Sequence, residues 1–94
     1  MTVVELLQAA KERVAEGWVK YSFATPYGVC ALGALRTCGS TSYAYETARL
    51  WLHHALPSDF NCVAAWNDSW ATTQADVLDL YDRAIRMAKD DPHG

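Results

Sequence analysis

A chain of 94 residues suits one domain, and a domain this short buries only about 60–65% of the surface its unfolded chain exposes, so it needs an efficient core or a partner. Hydrophobic residues make up 51%, charged residues 20%, and the net charge is -3, which is too apolar and too weakly charged for a disordered chain. The eight Lys and Arg form no basic stripe, which argues against nucleic acid as a partner.

Thr2 to Glu16 reads as a helix, with Val3, Leu6, Leu7, Ala10 and Val14 on one stripe. Thr2 and Glu5 have capping-box spacing, and Gly17 is a stop signal after which Trp18 folds back. Val19 to Tyr27 has no helical period. Val19, Tyr21 and Phe23 alternate with Lys20 and Ser22 like a strand, and Pro26 and Gly28 mark a turn, so a two-stranded edge and an extended loop both fit. Val29 to Thr37 reads as a short buried helix, and Gly33 within it marks a place where another backbone comes close.

Ser40 to Leu56 reads as a longer helix with Ser40, Thr41 or Ser42 as its cap. Its stripe is Ala44, Ala48, Trp51, Leu52 and Ala55, and Pro57 stops it. Pro57 to Thr72 is irregular, with a helical turn expected at Cys62 to Ala65 and then a loop that carries Trp66-Asn67-Asp68. Thr73 to Lys89 is the last helix, capped by Thr73 with Asp76, with Val77, Tyr81, Ala84, Ile85 and Ala88 inward. Asp79 with Arg83 and Asp82 with Arg86 are i, i+4 pairs on its wet side, and Glu46 can pair with Arg49. Residues 90–94 are expected to form a frayed tail. The expected fold is all-α, or α with a minor β-hairpin, as one four-helix domain over 1–94. Four Trp and five Tyr predict an aromatic-rich core, although the same rings suit an interface.

The longest uncharged stretch, Tyr21 to Leu35, is too short and too broken by Pro26, Gly28 and Gly33 to span a membrane. The opening residues, Met1 to Gln8, carry Glu5 and no basic leader. Cys30, Cys38 and Cys62 are odd in number and lack paired spacing, which fits reduced thiols in a cytoplasmic protein. Neighbouring His53 and His54 point about 100° apart on a helix and do not form a two-imidazole metal pair. No metal and no cofactor is expected.

Three clusters remain as candidate sites. Cys30, at the start of a predicted helix, could be a thiol nucleophile with His54 and Asp68 or Asn67, but no local signature supports the trio. Tyr43 and Tyr45, near a helix start, could form a partner surface, with one of them in the core as the equal alternative. Trp66-Asn67-Asp68 reads first as a structural turn anchored by the ring, and second as a rigid polar pair that binds a ligand.

Cys30-Ala31-Leu32-Gly33-Ala34-Leu35, then Trp66-Asn67-Asp68, then Thr73-Gln74-Ala75-Asp76-Val77 through Arg83-Ala84, resembles an uncharacterised family of small actinobacterial and actinophage proteins. The resemblance implies that these segments form one conserved unit, and it carries no activity. It favours a cytoplasmic setting, the host cytoplasm for a phage-encoded chain. The leading functional expectation is a non-enzymatic interaction or regulatory protein that binds a host protein or itself. A small Cys30 enzyme and a ligand-binding domain using Asn67 and Asp68 are the alternatives.

Overall fold

The computed structural model describes residues 1–91. Helix α1, Val3–Glu16, opens on Thr2. The Thr2 hydroxyl accepts from the Glu5 N–H at 3.1 Å, and the Glu5 carboxylate accepts from the Thr2 N–H at 2.8 Å. The Thr2 N–H, and after it the Thr2 hydroxyl, hold the Glu5 carboxyl below the usual carboxylate range. Leu6, Leu7, Ala10 and Val14 are buried, as the periodicity predicts.

Past Gly17 the chain crosses its own hairpin. A Cβ on Gly17 would sit 2.4 Å from the Tyr27 carbonyl oxygen, and one on Gly28 would sit 2.4 Å from the Gly17 carbonyl carbon. Two residues without side chains are therefore what lets the strands meet here. The Val29 N–H donates to Gly17 at 3.0 Å and the Val19 N–H donates to Val29 at 3.1 Å, a parallel bridge opposite Trp18.

The hairpin itself is small: β1, Ala24–Thr25, pairs antiparallel with β2, Gly28–Val29, and Ala24 faces Val29. The alternating run from Val19 to Phe23 is not a strand. Tyr21 takes a left-handed conformation, φ 68°, because its N–H turns to the Asp68 carboxylate instead of a neighbouring strand.

Helix α2, Ala31–Arg36, starts later than its apolar run because Val29 is used in β2 and Cys30 becomes the cap. Gly33 packs against the Phe23 backbone, as expected from a glycine inside a helix. Helix α3, Ser42–Ala55, is capped by Thr41, whose hydroxyl accepts from the Ala44 N–H at 3.1 Å. Helix α4, Val63–Asp68, continues through Trp66-Asn67-Asp68. This corrects both the predicted loop and the count: the described residues form five helices, not four. The physical reason is that the Asn67 side chain bonds distant segments instead of its own turn, so its backbone stays helical. Helix α5, Gln74–Asp90, opens on the Thr73–Asp76 capping box. Asp90 thus closes a helix, and the rest of the expected tail beyond Asp91 lies outside the described residues.

Helix α5 packs on α1 and α3; α1 also meets α2 and α3, and α2 meets α4. The core is aliphatic, not aromatic-rich. Trp66 and Tyr81 are its buried rings, while Trp18, Tyr45, Trp51 and Phe60 are only half-buried against it. Alanines on the facing stripes (Ala10, Ala48, Ala84, Ala88) bring the helices close, and Leu and Val fill what space remains. Asp79 pairs with Arg83 at 3.0 Å and Glu46 with Arg49 at 2.9 Å, as their spacing predicts. Asp82 pairs instead with Lys11 of α1 at 2.6 Å, which replaces the expected Arg86 and ties two helices. No helix among the described residues is long and apolar enough to cross a membrane.

Candidate functional site

Asn67 is fully buried at the end of α4. Its Oδ1 accepts from Trp18 Nε1 at 2.7 Å and from the Ala31 N–H at 3.0 Å. Its Nδ2 donates to the Val19 carbonyl at 3.2 Å and to Asp68 Oδ1 at 3.1 Å. A carboxamide has two N–H groups and two acceptor lone pairs, so all four are used inside the protein. Asn67 clamps the loop after α1 and the start of α2 onto α4.

Neighbouring residues extend the clamp. Asp68 Oδ1 accepts the Tyr21 N–H at 2.8 Å. The Lys20 ammonium donates to the Ser69 carbonyl and lies 5.5 Å from the Trp18 ring centre. Trp18, Val19, Lys20 and Tyr21, four residues in a row, are each fastened to the 67–69 segment. Trp66 is buried, and its carbonyl accepts the Thr72 hydroxyl at 2.6 Å, which turns the chain toward α5.

Cys30 is buried and caps α2: its Sγ accepts from the Gly33 N–H at 3.2 Å, while its own N–H donates to Phe23 at 3.0 Å. The following residue, Ala31, is held on both sides, by Asn67 at its N–H and by the Tyr81 hydroxyl at its carbonyl. Tyr81 is fully enclosed. Burial pushes its phenol well above the ordinary value, and Cys38, Cys30 and Tyr45 push it the same way.

Where these segments meet, a cavity of about 140 Å³ opens, lined by Tyr21, Ser22, Phe23, Cys30, Ala64 and Asp68. The structure thus brings Cys30 and Asp68 to one cavity. His54 stands elsewhere, in the last turn of α3, with its ring centre 6.2 Å from those of Trp51 and His53. It lines a separate concavity with Arg83 and Arg86. Neither Trp66 nor Asn67 lines the Cys30 cavity. Tyr43 is exposed at the start of α3, and Tyr45 is half-buried beside Arg36. Cys30, Cys38 and Cys62 are free thiols. Among the described residues no three His, Cys, Asp or Glu gather as a metal-binding group.

Sequence reasoning missed the rim of the cavity. Tyr21 is 78% exposed and Phe23 is 49% exposed; outside the cavity lining, Trp70, next to Ser69, is 92% exposed. The available signal was the setting of these rings outside any helical stripe, among Lys20, Ser22 and Ser69. Comparison with curated proteins and with solved structures finds no match. A family model described as a family of unknown function, DUF6197, matches residues 1–87, and the chain belongs to that family.

Proposed function

We propose that this protein is a small non-enzymatic interaction protein that docks a partner protein through its exposed rings Tyr21, Phe23 and Trp70. The observation that carries the reading is Trp70, a ring left 92% exposed beside a chain segment that is otherwise tightly fastened. Burying a large apolar side chain gains about 1.5–3 kcal/mol, which an exposed ring leaves for a partner to supply. Trp and Tyr are the side chains that most often dominate interface energies. The fastening of residues 18–21 presents the rim already ordered, which reduces the entropy lost on docking. The proposal includes a cytoplasmic setting, actinobacterial or in the host of an actinophage. Three free thiols suit a reducing compartment, and the resemblance favours that source.

Affinity capture from native lysate, with sedimentation of the purified chain, tests the reading using wild type and a Tyr21→Ser, Trp70→Ser variant. The expected outcome is a stoichiometric partner, or a concentration-dependent dimer, that the variant loses. Stability should change by less than about 0.5 kcal/mol, since both rings are surface residues. Identical capture and identical sedimentation for the two proteins would contradict it. A Cys30 enzyme draws support from the cavity shared with Asp68, yet among the described residues no histidine lines that cavity to serve as its base.

A further inference from the structure

The cavity beside Tyr21 and Phe23 has largely apolar walls, with Ser22 among them, and one charged group from the described residues. Tyr21, Phe23, Ala64 and the Cys30 thiol make it largely apolar, and Asp68 is its one carboxylate among the described residues. Asp68 Oδ1 is occupied by the Tyr21 N–H and Asn67 Nδ2. Oδ2 accepts no hydrogen bond from the described residues. Asp68 is half-buried, and among the described residues it takes part in no ion pair.

The cations nearby are engaged elsewhere: the Lys20 ammonium by the Ser69 carbonyl and the Trp18 ring, and the Arg36 guanidinium by the Phe23 ring, 4.4 Å from its centre. A carboxylate taken partly out of water without a counter-ion is unfavourable, and a cation brought to it recovers that loss. Aromatic walls add to the attraction for a cation. The volume, about 140 Å³, is close to that of cavities of about 150 Å³ that accept a benzene ring.

We propose that this cavity binds an ammonium group carried on a short apolar stem, the ammonium meeting Asp68 Oδ2 and the stem lying against Phe23, Ala64 and Cys30. The inference does not depend on the docking proposal, because the rim can bind a partner with the cavity empty. The same chemistry is presented by a free alkyl- or arylamine and by a lysine side chain.

The test is a titration of the full-length protein followed through its backbone amide resonances. The probes are benzylammonium, neutral benzyl alcohol, and a capped Gly-Lys-Gly peptide. Either cation should produce saturable shifts at Cys30, Ala64 and Asp68. Benzylammonium should bind about tenfold more tightly than benzyl alcohol, the scale of one charge-assisted hydrogen bond. Asp68→Asn retains an oxygen for Tyr21 and Asn67 and should lose that preference. Ala64→Leu fills the cavity and should abolish binding of every probe, a second check that leaves Asp68 in place. Tighter binding of the peptide assigns the ligand to a polypeptide, and tighter binding of benzylammonium assigns it to a free amine. Absence of saturable shifts with both cations, equal binding of benzyl alcohol, or an undiminished preference in Asp68→Asn would overturn the proposal.

Discussion

A buried carboxamide destabilises a fold unless each of its polar groups is bonded, and Asn67 meets that condition with partners from the 18–19 segment, from Ala31 and from Asp68. Tyr81 meets the same condition with its single hydroxyl, and the consequence is a dependence on pH. Its phenol is held well above the ordinary value. Below about pH 10 both folded and unfolded chains keep the proton, and it contributes nothing to the pH dependence. Above that, the unfolded chain releases its proton while the folded one keeps it, so stability falls as pH rises. Melting temperatures taken between about pH 8 and pH 11 should therefore drop more steeply for wild type than for Tyr81→Phe, which has no phenol to titrate at this position. Parallel curves would contradict this. In the sequence Asn67 and Asp68 read as turn formers because local propensity is all that adjacent residues reveal. Their actual partners, Val19, Tyr21 and Ala31, lie more than thirty residues away.

At the scale of elements, what repeats was legible and what is held by one distant contact was not. The stripes of α1, α3 and α5 and the Thr2 and Thr73 caps follow from spacing alone. Helix α4 has six residues, too few to display a period, and its helical state rests on where the Asn67 side chain bonds. The alternation at Val19, Tyr21 and Phe23 looked like a strand, but the run meets β2 only through an isolated bridge at Trp18, and between its ends the Asp68 carboxylate takes the Tyr21 N–H. Gly33 was legible for a sound reason, since a glycine in a short helix is unfavourable unless space requires it. An ideal Cβ there would lie 1.6 Å from the Phe23 carbonyl oxygen, the same oxygen that accepts the Cys30 N–H. In Gly33→Ala a helix-propensity gain of up to about 1 kcal/mol opposes a backbone clash that must displace the 23–30 contact. The clash should win, lowering the urea midpoint by an amount equivalent to about 1–3 kcal/mol. A midpoint equal to or above that of wild type would show that α2 and the loop are not in such close contact.

For the whole molecule, the aromatic content admitted two uses, and the structure separates buried rings from exposed ones. Trp66 and Tyr81 serve the interior, and Tyr21, Phe23, Tyr27, Tyr43 and Trp70 face outward. Composition could not make that division, because it depends on how closely the alanine-bearing stripes of the helices approach. The cavity was equally hidden: Cys30 and Asp68 were both singled out in the sequence, but their meeting depends on the loop that links α1 to the hairpin. That loop is held by the end of α4, and Asn67 is the residue on which the hold converges. The most direct test is the unfolding free energy of Asn67→Leu, which keeps the approximate volume and removes every polar group. The Ala31 N–H, the Trp18 indole N–H and the Val19 carbonyl would all lose their partner, and we predict a loss of about 2–4 kcal/mol, a large share of the total stability of a small domain. A loss below about 0.5 kcal/mol, the level of an ordinary surface substitution, would contradict the account of Asn67 as the clamp that builds the site.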